Sequence, residues 1–166
     1  ARFPSRVGDD GNLRRLEEQD RGRWDQSMIA QGMFHLARSA AGTEVSEYHL
    51  QAGIAACHCT ATDYASTNWL QILNLYDQLV EFDDSPVIAL NRAVAVAEVR
   101  GPQAGIEAVT AIQDLQSLES YYLLHAVLGE FELRLNHPRA AAAHFRRSLQ
   151  LAKIGSEQLF LSKQLT

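Results

Sequence analysis

At 166 residues the chain can build one domain with a sizeable core, and its 46% hydrophobic content argues against disorder. A formal net charge of −5 disfavours direct binding of DNA. No apolar run reaches the roughly 18 residues of a membrane span, and the polar, basic residues 1–6 lack the pattern of a signal peptide.

Residues 1–19 read as a linker or docking arm with a turn at Gly8-Asp9-Asp10-Gly11-Asn12, and residues 20–166 as the helical domain. Arginines crowd the front of the chain (Arg2, Arg6, Arg14, Arg15, Arg21, Arg23), but Asp9, Asp10, Glu17, Glu18 and Asp20 nearly balance them. The first helix is predicted from Gln19 or Arg23 to Arg38. Met28, Ile29, Gly32, Met33 and Leu36 form its expected buried face, and Ala41-Gly42-Thr43 ends it. A second helix is predicted after Ser46, ending near Cys59 or Ala61, with Leu50, Ile54, Cys57, His58 and Ala61 on one stripe. Residues 62–67 make a loop. The third helix, capped by Thr67 or Asn68, carries Trp69, Ile72, Leu73, Tyr76, Leu79 and Val80 at helical spacing.

The central stretch, 85–102, has the clearest punctuation. Ser85 is the expected N-cap, its hydroxyl accepting from an orphan N–H. Pro86 suits the first helical position, Gly101 a left-handed terminus, and Pro102 cannot continue the helix. Leu90, Ala93, Val94 and Ala97 form a thin apolar face that lets a neighbour approach closely. A shorter helix follows to Ile112, then a loop over 113–118. A long helix is predicted from Tyr121 to Leu135, burying Tyr121, Leu124, Leu128 and Phe131. After the break Asn136-His137-Pro138, another runs to Lys153. It buries Ala141, Ala142, Phe145, Leu149 and Ala152, and shows His144, Arg146, Arg147 and Gln150 to water. Gly155 breaks it, and Ser156-Glu157 caps a last helix carrying Leu159, Phe160 and Leu165.

The pattern repeats. Placing Pro102 over Pro138 sets Ala93 over Gly129, Ala104 over Ala140, Gly105 over Ala141 and Val109 over Phe145. Small residues twelve apart, followed by a large one four later, have the spacing of the tetratricopeptide motif. Two antiparallel helices need small side chains where they cross and a large one to fill the next gap. Lys153 stands where that motif usually closes with Pro, so the reading is tetratricopeptide-like. The expected fold is all-α: an antiparallel helix-pair array of about eight helices.

Reactive constellations are sparse. Cys57-His58-Cys59 lacks the spacing of a structural zinc site and has no second pair, so free thiols and a partly buried, hydrogen-bonded His58 are expected, with no metal and no cofactor. The six histidines are scattered, and no nucleophile, base and orienting group fall into a recognisable set, so no enzymatic activity is expected. Glu17-Glu18 and Asp83-Asp84 sit at turns or helix starts, where acids favour the helix dipole. Asn91 and Arg92 lie inside the thin-faced helix, and Asn91 borders its stripe. It serves there either as an interhelix hydrogen bond that fixes register or as part of a partner groove. In the run Glu18-Gln19-Asp20-Arg21, followed by Trp24-Asp25, Asp20 can cap a helix and Arg21 can pair with an acid; equally, the cluster can dock the arm onto the helical body. Arg21 and Trp24 are the first candidates for protein contact, being residue types common at interface centres.

Several runs together resemble a known family: Glu17-Glu18-Gln19-Asp20-Arg21-Gly22-Arg23-Trp24-Asp25, Tyr48 through His58, Thr67-Asn68-Trp69, Leu75-Tyr76-Asp77, Ser85-Pro86-Val87-Ile88-Ala89-Leu90-Asn91-Arg92-Ala93-Val94-Ala95, and Tyr122-Leu123-Leu124-His125-Ala126. The chain resembles the C-terminal tetratricopeptide-like extension of bacterial extracytoplasmic-function RNA polymerase sigma factors, over nearly its whole length. The resemblance implies a regulatory, cytoplasmic role through contacts with upstream sigma-factor domains, RNA polymerase or another regulatory protein, without DNA or membrane binding by this part. It brings no catalytic residues, and His125 joins Asp20, Arg21, Trp24, Asn91 and Arg92 as interaction candidates. The rival readings are a stand-alone adaptor of tetratricopeptide type and a small-molecule sensor with a pocket of Trp69, Tyr76 and His58.

Overall fold

The computed structural model describes residues 1–6, 8, 14–39, 45–152, 158, 161–162 and 164. Among them are eight α-helices, the first a single turn, and no strand. The all-α helix-pair array is therefore observed. Leu159, Phe160 and Leu165 of the last predicted helix and its flanking Gly155-Ser156-Glu157 lie outside the described residues, whereas Gln158, Leu161 and Ser162 are helical; most of the turn at 8–12 and the stop at 41–43 also lie outside the described residues. No helix among the described residues is long and apolar enough to cross a membrane. The chain divides into two compact units, Ala1–Asp83 and Asp84–Thr166.

In the N-terminal unit, the turn α1 (Phe3–Arg6) and two 3₁₀ turns (Leu16–Glu18 and Arg21–Arg23) precede α2 (Gln26–Ser39), α3 (Glu47–Thr60) and α4 (Trp69–Phe82). The predicted start of α2 was too early, for a local reason. Asp20 caps the 3₁₀ turn by accepting from Gly22 N, and Trp24 is extended. Asp25 then supplies the real cap, its Oδ1 accepting from Met28 N at 2.9 Å. Asn68 caps α4 by accepting from Gln71 N at 3.0 Å, which decides between the two predicted caps. Leu50 and Ile54 of α3 and Ile72, Leu73 and Leu79 of α4 form the buried seam of this pair. The two helices approach closely at Gly53, where a Cβ would stand 3.2 Å from Leu75.

The C-terminal unit holds α5 (Pro86–Arg100), α6 (Pro102–Thr110), a 3₁₀ helix (Leu115–Leu118), α7 (Tyr122–Arg134) and α8 (Pro138–Leu151). Ser85 occupies the N-cap of α5, but its side chain makes no capping bond; Pro86 at the first helical position starts the helix instead. Gly101 has φ +93° and ψ 162° and both ends α5 and opens α6. That region of backbone space is essentially restricted to glycine, and it is not the helical left-handed conformation expected from sequence. One residue thus reverses the chain. The predicted loop 113–118 is tightened into the 3₁₀ helix, entered through Asp114 at φ +54°.

The 36-residue repeat survives as packing. Ala93, Gly129, Gly105, Ala141, Val109 and Phe145 are all buried. A Cβ on Gly129 would lie 2.8 Å from the Phe145 ring, and one on Gly105 would lie 2.6 Å from Ala97 Cβ and 2.8 Å from Phe131. Leu90, Ala93, Ala97, Val109, Leu124 and Phe131 share one core, and Ala141, Phe145, Ala152 and Leu161 a second. Polar ties hold the ends together. Buried Ser148 donates to Tyr122 O across the α7–α8 pair at 2.8 Å, and Arg134 pairs with Glu98 at 2.6 Å.

Candidate functional site

The Glu17–Asp25 run builds a latch inside the N-terminal unit. The Arg21 guanidinium donates to His58 O at 2.8 Å, to Ala61 O at 3.1 Å and to Thr67 Oγ1 at 2.9 Å. The two carbonyls belong to the end of α3, whose last oxygens lack helical partners and carry the negative end of the dipole. Arg21 therefore binds a helix terminus rather than the acid that was one of the two partners the sequence allowed. Its guanidinium lies 5.2 Å from the centre of the Trp24 ring, and Arg2 lies 5.8 Å from the same ring. Arg21 and Trp24 are almost wholly buried. Their contacts are those of an arm docked onto the helical body, the second of the two roles the sequence allowed.

His58 completes the cluster, edge-on to Trp69 with ring centres 5.3 Å apart. Its Nδ1 is buried without a hydrogen-bond partner, so the expected hydrogen-bonded histidine is corrected to one held by aromatic packing. Burial, with Arg2 and Arg21 nearby, lowers its pKa to about 4, so the ring is neutral at pH 7. Gln19 Oε1, Arg21 Nε and Trp24 Nε1 are likewise buried and unpartnered. Burial also raises the pKa of the Tyr76 hydroxyl, whereas Asp63, in the α3–α4 loop, is held low by accepting from Ser66 N. Cys57 and Cys59 are half-buried and not joined by a disulfide.

An apolar groove between α2 and α3 was not foreseen. The Met28, Ile29, Gly32, Met33 and Leu36 stripe was expected to be buried, yet α2 has no buried residue. Met28 is 55% exposed and Phe34, on the same helix, 57%. The stripe instead lines an open cavity of about 200 Å³ with Ala52, Ala55, Ala56 and Cys59 of α3, and with Ala1. The alanines of α3 at helical spacing were the legible signal. They leave a shallow floor that α2 does not fill.

The other predicted residues are dispersed. Asn91 is exposed beside exposed Val87 rather than bordering a buried stripe, and Arg92 is half-buried. His125 of α7 stacks on His144 of α8, with ring centres 5.8 Å apart and Nδ1 atoms 3.5 Å apart, while its Nε2 lies 3.3 Å from Glu119 O. His144 is thus half-buried rather than shown to water, and burial together with His125 lowers its pKa. Among the described residues no three His, Cys, Asp or Glu side chains converge as metal ligands. Asp20, Arg21 and Trp24 share the latch; Asn91, Arg92 and His125 belong to the C-terminal unit.

Residues 1–40 match the model of a family of unknown function, DUF6596. Over 165 residues the chain is 32% identical to an uncharacterized protein of Rhizobium meliloti (strain 1021), covering 99% of this chain and 38% of that relative. The chain thus spans little more than a third of the length of that relative. No solved structure matches it.

Proposed function

We propose that this chain is the regulatory, protein-contacting part of an extracytoplasmic-function sigma factor, and that it modulates transcription initiation without itself reading DNA. The observation that carries the reading is the Glu17–Asp25 run. Its residues are among those that carry the resemblance, and they latch the front of the chain to the end of α3 and the α3–α4 loop through Arg21. A front segment so fastened would transmit force or position from polypeptide joined to it into the helical body. Two tetratricopeptide-like pairs, α5–α6 and α7–α8, supply helical surfaces suited to protein partners. The partners in this reading are the upstream sigma-factor domains and RNA polymerase, in the cytoplasm.

The test is promoter-specific transcription by the full-length factor and purified core polymerase, with and without residues 1–166. A several-fold change in transcript is expected. Equal transcription from both forms would sink the direct role and move the search to a separate partner or ligand.

A further inference from the structure

We propose that His125 and His144 form a chelating site for a divalent transition ion, with Zn²⁺ as the reference ion, and that the bound ion clasps α7 to α8. Both residues belong to the C-terminal unit, and the site is independent of the transcriptional reading. The ring centres lie 5.8 Å apart but the Nδ1 atoms only 3.5 Å, so the two Nδ1 atoms face one another across the gap. That separation is long for a hydrogen bond between nitrogens. It is the span of two ligands on one ion. At roughly 2.0–2.1 Å from each nitrogen, a zinc ion would join them at an angle of about 113–122°, close to tetrahedral. A modest tilt of each ring brings its lone pair onto the ion.

The surroundings suit this role. Glu119 O is a carbonyl and only accepts, so His125 donates to it through Nε2–H at 3.3 Å. In the neutral ring that leaves Nδ1 with its lone pair towards His144. Histidines that ligate metals commonly donate their other N–H to a carbonyl in this way, which fixes the ring and raises its basicity. The backbone beneath is locked. Ser148, one turn beyond His144, donates to Tyr122 O, one turn before His125, at 2.8 Å, and the Phe145 ring beside His144 closes on Gly129. Sites built on packed helices hold their geometry better than sites on loops. A cavity of about 180 Å³ adjoins the pair, lined by Leu115, Glu119, Leu124, His125 and Arg147. Arg147 opposes a cation there, and Glu119, with Glu132 acting on His144 from α7, offsets it. Two imidazoles suit zinc, copper or nickel. The remaining positions go to water or to the carboxylate of Glu119, whose side chain is exposed. An ion held there fastens the two helices of the last pair in one arrangement.

The test is a titration of the chain, prepared without a histidine tag, with Zn²⁺ alone, followed by calorimetry and by the ring-nitrogen resonances of the histidines. One equivalent is expected to bind. It should move the Nδ1 resonances of His125 and His144 and leave those of His35, His49, His58 and His137 in place. Saturating Zn²⁺ should raise Tm by several degrees, since the ion binds the folded chain. Loss of an outer-shell partner alone costs roughly 10–100-fold in metal affinity, so loss of a ligand should cost at least about tenfold. That loss is expected in His125→Phe, which keeps a ring in the stack, and separately in His144→Gln. A melt in chelator matching that of the parent shows that a variant is folded, and one folded variant suffices for the comparison. Cys57→Ser/Cys59→Ser should bind Zn²⁺ as the parent does. Absence of saturable binding overturns the proposal, as does unchanged affinity in a folded histidine variant. So does loss of binding in the double serine variant, which would place the ion on the thiols.

Discussion

The two units use the same kind of apolar stripe to different effect. In the C-terminal unit, small residues sit where helices cross and a large side chain fills the neighbouring gap: Gly129 against Phe145, Gly105 against Ala97 and Phe131. In the N-terminal unit, α3 and α4 pack in this manner at Gly53 against Leu75, but α2 leaves Gly32 and Met28 exposed beside an open groove. A stripe with helical period specifies a sticky face. Only a partner with the complementary face makes it a core, and in α2 that partner is missing from the described part of the chain. The front of the chain is held instead by the polar and cation–π contacts of Arg21.

Five measurements would break or sharpen this contrast. Phe145→Ala should have the largest effect, destabilising the C-terminal unit by about 3–5 kcal/mol in denaturant melts, since it empties the space beside Gly129 and Ala141. A loss below about 1 kcal/mol would mean that the repeat is not a packed seam. Gly105→Ala should come next, at about 1–3 kcal/mol, because its methyl would collide with Ala97 and Phe131. Arg21→Met keeps the stem but strips the end of α3 of its donors, leaving carbonyls unpaired at about 1–3 kcal/mol. Its melt should affect the N-terminal unit alone; an undisturbed melt would show that the latch does not hold the arm.

The fourth is a pH dependence. His58 is neutral when folded, with a pKa near 4 against 6.5 for the free side chain. Between these values the unfolded chain binds more protons than the folded one, so stability falls as pH drops from about 6.5 towards 4 and is retained above that window. His58→Phe keeps the ring against Trp69 and should flatten the fall in Tm across that range; an unchanged slope would assign the acid sensitivity elsewhere, His144 being the next group. The smallest effect is expected for Met28→Gln, within about 0.5 kcal/mol in residues 1–166, because its side chain is already more than half exposed. A large destabilisation there would mean that α2 is better buried than the groove implies.

Sequence alone determined the all-α class, the order and approximate spans of the helices from α3 to α8, and the 36-residue repeat. Period, caps and breakers are local signals, and Pro86, Gly101, Pro102 and Pro138 act within a residue or two of where they stand. It also singled out the Glu17–Asp25 run as a cluster with work to do. Tertiary structure decided which stripes find partners. It left Asn91 exposed, gave Arg21 a helix terminus in place of a carboxylate, brought His144 from the exposed side to His125, and opened the α2 face into a groove. Burial is a property of pairs of faces, and a stripe read along one strand of sequence carries no information on whether its complement is present.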